Sequence, residues 1–269
     1  MDVGFVGMDL DGTLLDTDSD KHGSPKYLES LEIIREMTKN QAPDISRFNG
    51  FFDEFARQSE ELSMRLSSKV FAELMQKHYN IPVSLQEFGN YRISMREKTY
   101  AESVRFIGEN GNNSGNWLAE LPSEIQNKLV LVTSVSKEAL PYIAANPQLK
   151  IAGRTLDDFF GNRIVFGDKV LCTGEPILHR KPSPEPYEKA MALTSHVSER
   201  GLVGIAFEDG KKGIISAKNA RYNNGRLFVV GIGTSLSEAQ AGEEGAKYFA
   251  ATLCAVKLPD LLDAYMRAK

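Results

Sequence analysis

The chain has 269 residues, 42% apolar and 25% charged, with a formal net charge of −4. That length supports one large domain or two modest ones with a real core, and the slight acidity excludes the basic surplus that a nucleic-acid or anionic-membrane partner needs. No run is long and apolar enough to span a bilayer, and the two cysteines, Cys172 and Cys254, make neither a disulfide framework nor a CxxC pair, so a cytoplasmic location is expected.

Residues 3–8 predict a buried central strand, apolar except for its glycines. The strand runs into Asp9, and Asp11, Gly12 and Thr13 follow. Two carboxylates at the end of a buried strand are costly unless a cation or a reaction uses them. The plain alternative is an Asp-rich turn. After a polar linker, Ser24 as cap and Pro25 at the first position open a helix. Residues 40–50, with Pro43, Asn49 and Gly50, predict a loop, and helical periodicity resumes from Phe51 to about His78. Ser84 and Glu87 form a capping box for a helix reaching about residue 105. Phe51, Phe52, Phe55, Phe71 and Tyr79 read as the core of this helical block.

The Gly/Asn-rich stretch 108–116 breaks the pattern and reads as a hinge or mobile return connection. Residues 117–128 predict a helix with Trp117 packing at its start, and 129–132 an apolar strand that ends at Thr133 and Ser134. Strand and helix then alternate. A helix over 137–145 and a short strand over 164–166 come first. A helix over 184–196 precedes a strand over 202–207 that ends in Glu208 and Asp209. A helix over 214–220, a strand over 227–230, a helix over 236–244, a strand over 248–253 and a helix over 259–267 complete the series. Such alternation predicts an α/β fold, a parallel sheet covered by helices on both faces. Residues 1–17 and 106–269 form its core, and 18–105 an inserted all-helical domain.

Parallel strands bring their carboxyl ends together, so Asp9, Asp11, Thr133, Ser134, Glu208 and Asp209 are expected around one crevice. Four carboxylates there need a cation, and their hard oxygens suit Mg²⁺. Lys181, just before a proline-started helix, is a candidate to neutralise an anionic group, or else a solvated charge. Gly231-x-Gly233 lacks the third glycine and later acid of a dinucleotide site, and His78, His179 and His196 have no metal-ligand spacing.

Four motifs in order resemble the haloacid dehalogenase superfamily, in its phosphatase and β-phosphoglucomutase-like group with an inserted helical cap. They are Asp9-x-Asp11-Gly12-Thr13, then Thr133, then Lys181 within Lys-Pro-x-Pro-x-x-Tyr, and Glu208-Asp209 followed by Gly213-Ile214. The resemblance covers 1–15 and about 118–269. It departs at Gly210, where many relatives carry serine. It implies a Rossmann-like core and a Mg²⁺-dependent phosphatase acting on a small phosphorylated metabolite. In that chemistry Asp9 is nucleophile, Asp11 general acid and base, and Thr133 and Lys181 phosphoryl-holding residues. Asp9, Asp11 through its main-chain carbonyl, Glu208 and Asp209 hold the metal. Ser134, at the strand end, is a further candidate for substrate contact; His22, Arg47 and Asn49 fall where the cap meets the site in relatives, with a plain surface or loop role as the alternative for each. A phosphomutase remains the first alternative, since Arg47, Arg65 and Lys69 offer cations for a second phosphate, and a non-catalytic binding protein the second. Monomer and homodimer are both open.

Overall fold

The structure, a computed structural model, describes residues 3–17, 24–38, 44–59, 64–109, 112–135, 137–167, 180–194 and 201–269. They fall into two compact units. One takes in the chain up to Asp16 and the described residues from Arg105 onward, and the other runs Thr17–Val104. Among the described residues no helix is long and apolar enough to cross a membrane.

The first unit is built on a six-stranded parallel sheet. Its strands are β1 (Phe5–Met8), β4 (Leu129–Val132), β5 (Ile164–Val165), β6 (Gly201–Glu208), β7 (Gly225–Ile232) and β8 (Tyr248–Ala250), in the order β5-β4-β1-β6-β7-β8. The labels β2 (Gly108–Glu109) and β3 (Asn112–Asn113) belong to an antiparallel pair away from this sheet. Between and after the strands run α5 (Ser114–Glu120), α6 (Ser123–Gln126), α7 (Leu140–Ala145), α8 (Leu156–Phe160), α9 (Glu185–Ala192), α10 (Lys211–Asn219), α11 (Glu238–Glu244) and α12 (Leu258–Ala268).

Both faces of the sheet are covered because strand side chains alternate. In β7, Leu227 and Val229 join a core with Tyr187 and Met191 of α9 and Ile214 and Ala217 of α10. Phe228, between them, turns the other way and meets Tyr265 of α12 edge-on at 6.0 Å. On that same second face Phe207 of β6 meets Trp117 of α5 at 5.8 Å. Trp117 is the packing residue expected, and its Nε1–H donates to Val256 O across 3.2 Å.

The second unit holds α1 (Pro25–Met37), α2 (Ile45–Ser59), α3 (Met64–Tyr79) and α4 (Leu85–Glu102). Ser24 caps α1 by accepting from Tyr27 N–H, and Ser84 with Glu87 makes the predicted capping box on α4. Its core is aromatic: Phe48, Phe51, Phe52, Phe55, Phe71 and Phe88 are buried together, Phe51 meeting Phe71 edge-on at 5.0 Å and Phe71 stacking on Phe88 at 4.2 Å.

Several local expectations are corrected. Residues 45–50 are the first turns of α2, not loop. Asp44 Oδ1 accepts from Ser46 N–H across 2.9 Å, and burial of Phe48 and Phe51 outweighs the poor propensity of Asn49 and Gly50. The helix expected over 117–128 is two, interrupted at Pro122. The helix over 137–145 begins as a 3₁₀ turn, Lys137–Ala139. The last strand stops at Ala250, and Leu253–Ala255 is 3₁₀. A helix not anticipated, α8, is capped by Thr155, whose hydroxyl accepts from Asp158 N–H. The Gly/Asn-rich stretch pairs β2 with β3, and Asn113 then caps α5 by accepting from Asn116 N–H across 3.0 Å.

Candidate active site

β1 lies between β4 and β6, so Asp9, Thr133 and the Glu208-Asp209 pair stand at adjacent strand ends. Beyond Asp9 the chain closes a tight loop. Leu14 and Leu15 N–H both donate to Leu10 O, at 2.9 and 2.8 Å, and Gly12 N–H donates to Leu15 O at 2.8 Å. Gly12 has φ +79°, and a Cβ there would stand 2.0 Å from Asp209 Oδ2. Glycine is therefore required both by the turn and by the approach of the carboxylate. Ser114 Oγ donates to Leu14 O across 2.6 Å and ties the loop to the start of α5.

Asp9, Glu208 and Asp209 are buried, and each offers an oxygen such that the three lie within 4.8 Å of one another. Lys181 reaches into this cluster. Its Nζ donates to Asp9 Oδ1, to Val132 O across 2.8 Å, and pairs with Glu208 Oε1 at 2.6 Å. Those three acceptors match the three N–H bonds of an ammonium. The side chain is 6% exposed, so the solvated-charge alternative is overturned.

Glu208 also accepts from the hydroxyl of Tyr187, at 2.5 Å, and its Oε2 packs where a Cβ on Gly213 would be 1.7 Å away. Burial pushes the Glu208 carboxyl up to about 8. The Lys181 ammonium opposes the rise and the Asp9 charge adds to it. For Lys181, burial pulls the ammonium down, but the charges of Asp9 and Glu208 together hold it above its ordinary value. Burial and the Glu208 charge hold the Tyr187 phenol well above 10.

Thr133 is buried, and its Oγ1 accepts from Val135 N–H across 3.0 Å, a bond that does not use the hydroxyl's own proton. Ser134 is exposed, and its carbonyl accepts from Arg180 Nη2 at 2.5 Å. Thr13 Oγ1 lies 3.5 Å from Asp209 Oδ1. Asp11 is half-buried in the loop, and its carboxylate is not one of the three clustered oxygens. Arg47 and Asn49 belong to the helical unit and are engaged there. Arg47 Nη2 donates to His78 O and its guanidinium sits 4.9 Å from the Tyr79 ring centroid, while Asn49 Oδ1 accepts from Tyr27 OH at 2.7 Å. His22 lies outside the described residues, as do His179 and His196.

Two further groups stand around the carboxylates. Tyr187 was visible only as the last letter of Lys-Pro-x-Pro-x-x-Tyr. Ser235, in the loop after β7, donates to Asp209 Oδ2 at 2.5 Å. Its signal was its place at a further parallel-strand end.

No protein-family model matches the chain, and no curated protein does. Solved structures match over nearly the whole length. A predicted phosphoglycolate phosphatase from Haemophilus somnus 129PT aligns with a TM-score of 0.63 at 15% identity, covering 98% of this chain and 99% of that one. A HAD family hydrolase from Deinococcus radiodurans R1, with bound phosphate and sodium, aligns at 0.59 and 15% identity, covering 98% and 97%. A protein described as a β-phosphoglucomutase from Thermotoga maritima aligns at 0.57 and 24% identity, covering 98% and 99%. The fold is that of the haloacid dehalogenase superfamily. That fold accounts for the long helical excursion between β1 and β4.

The cluster fits a Mg²⁺ ion by its chemistry. It offers three converging carboxylates, hard oxygen donors only, with one ammonium to balance them.

Proposed function

We propose that this protein is a haloacid dehalogenase superfamily enzyme, a Mg²⁺-dependent phosphatase that hydrolyses a small phosphorylated metabolite through a phosphoaspartate on Asp9. What supports this is the convergence of Asp9, Glu208 and Asp209 with Lys181 at neighbouring strand ends.

An Asp9 carboxylate oxygen attacks phosphorus, forming the acyl phosphate as the bond to the leaving oxygen breaks. Asp11 delivers a proton to that leaving oxygen. Asp11, now a carboxylate, takes a proton from a water whose oxygen attacks the same phosphorus, and the bond to Asp9 breaks to release phosphate. Lys181 keeps Asp9 oriented for attack and offsets charge on the phosphoryl oxygens, and the Thr133 hydroxyl donates to one of them. Asp9, Asp209 and the Asp11 carbonyl would hold Mg²⁺, with Glu208 in support, and the ion when bound draws charge from the transferring phosphoryl group. A cytoplasmic setting belongs to the same proposal, since Cys172 and Cys254 make no disulfide framework.

The test is rapid acid quench with labelled p-nitrophenyl phosphate, followed by peptide mapping. Label is expected on Asp9 and absent from Asp9→Asn. In Asp11→Asn the label is expected to persist, because p-nitrophenolate leaves without a proton but no base then activates water. Label on Asp11, or on neither aspartate of the unmutated protein, rejects the assignment. Transfer to glucose 1-phosphate faster than to water makes the enzyme a mutase.

A further inference from the structure

The loop after β7 meets the acidic cluster at Asp209, whereas Lys181 meets it at Asp9 and Glu208. Ser235 donates its hydroxyl to Asp209 Oδ2 at 2.5 Å, and Thr234 donates its hydroxyl to the carbonyl of Gly12. One short segment thereby ties the turn after β1 to the end of β6. The segment is itself anchored. Gly233 N–H donates to Ala250 O across 2.8 Å, and a Cβ on Gly233 would stand 2.5 Å from Cζ of Phe249. So Gly231-x-Gly233, which failed as a dinucleotide motif, makes room for close packing under this loop.

A carboxylate's terminal torsion is broad, so an aspartate at a strand end does not choose its orientation alone. Here Asp209 Oδ2 accepts from the Ser235 hydroxyl, the missing Cβ of Gly12 leaves room for that oxygen, and Thr13 Oγ1 lies 3.5 Å from Oδ1. Partners that fix a ligating carboxylate before the cation arrives raise its affinity. Gly210, the residue after Asp209, has no side chain with which to do this.

We propose that Ser235 is a positioning residue for the cation site: its hydroxyl donates to Asp209 Oδ2 and, with Thr13 Oγ1 3.5 Å from Oδ1, sets the orientation in which this carboxylate meets a divalent cation. It supplies from the neighbouring strand end the hydroxyl that position 210 lacks. The inference rests on the cation role given to Asp209 above.

The test uses the full-length protein freed of metal, without substrate. Mg²⁺ affinity is measured by isothermal titration calorimetry and Mn²⁺ affinity by electron paramagnetic resonance. Ser235→Ala is expected to weaken both about 10-fold, and Ser235→Thr, which keeps the hydroxyl, to restore most of the affinity. In turnover the Mg²⁺ concentration for half-maximal rate should rise with the Kd, while KM for phosphoester at saturating Mg²⁺ stays unchanged. Should the alanine variant fold poorly, Ser235→Thr against Ser235→Val makes the same comparison at equal volume. Equal cation affinity with and without the hydroxyl, or a lower Tm of the metal-free protein with unchanged affinity, overturns the role of Ser235 alone. An unmutated protein that binds neither cation overturns the metal reading of the cluster, and this inference with it.

Discussion

Tyr187 donates its hydroxyl to Glu208 Oε1 across 2.5 Å, joining α9 to the end of β6 beneath the acidic cluster. The same Oε1 is paired with Lys181 at 2.6 Å, and the Lys181 ammonium sits 5.5 Å from the Tyr187 ring centroid. Tyr187→Phe keeps the ring and removes the one hydroxyl. Removing the donor leaves a buried Glu208 oxygen short of a partner, a cost of about 2 kcal/mol, so urea unfolding should show a loss of that size with the far-ultraviolet spectrum unchanged. A variant as stable as the unmutated protein would mean that the phenol contributes packing alone.

Lys181→Met should cost both folding and activity. Removing the ammonium leaves Asp9 and Glu208 facing each other in a buried site, a loss of about 3 kcal/mol in unfolding free energy. Adding Mg²⁺ should recover part of that stability, because a cation again balances the carboxylates. Turnover should fall by about 10²-fold or more even when the variant is folded at saturating Mg²⁺. Denaturant titrations with and without Mg²⁺, alongside steady-state rates, separate the two effects.

Gly210 and Gly213 lie three residues apart and should respond in opposite ways. Gly213→Ala adds a good helix former to α10, a gain of about 1 kcal/mol by propensity. Its Cβ would stand 1.7 Å from Glu208 Oε2, so the carboxylate must move off Lys181 and Tyr187, and the net change should be a loss of about 2 kcal/mol with activity. Gly210 has nothing within 4 Å of a built Cβ and is the N-cap of α10 without a side-chain bond. Gly210→Ser should be tolerated and slightly raise Tm, since serine caps better than glycine by a few tenths of a kcal/mol or about that. Thermal melts and p-nitrophenyl phosphate rates on the pair are the check.

In the helical unit Glu54 takes Lys77 Nζ at 2.6 and 2.7 Å and His78 Nε2 at 2.8 Å. The Lys77 bond first, and the His78 bond second, hold its carboxyl down at about 2 from an ordinary 4.5. The unfolded chain therefore binds the proton more readily than the folded one. The stability this group contributes is complete above pH 4.5 and is lost as pH falls toward 2. Urea midpoints of the unmutated protein should fall more steeply over that window than those of Glu54→Gln, and the difference should shrink in 1 M salt (a Debye length of about 3 Å). Parallel curves would show that the Lys77 and His78 contacts carry no charge-dependent stability.

What the sequence determined by itself was local or periodic. Ser24 with Pro25, and Ser84 with Glu87, announce helix starts because caps act within three residues. The apolar runs ending in Asp9, Thr133 and Glu208-Asp209 announce a parallel sheet because both its faces are buried, and a parallel sheet gathers its strand ends. Even locally, Asn49 and Gly50 misled, since their weak helix propensity is overruled by a phenylalanine face that only the packed bundle makes use of. Tertiary structure decided which polar groups meet. Lys181 and Asp9 are 172 residues apart, and Ser235 and Asp209 are 26 apart with a strand between them. No propensity or period encodes those pairings. They follow from the order β5-β4-β1-β6-β7-β8, which sets β6 beside both β1 and β7 and so brings an exposed loop serine onto a buried carboxylate.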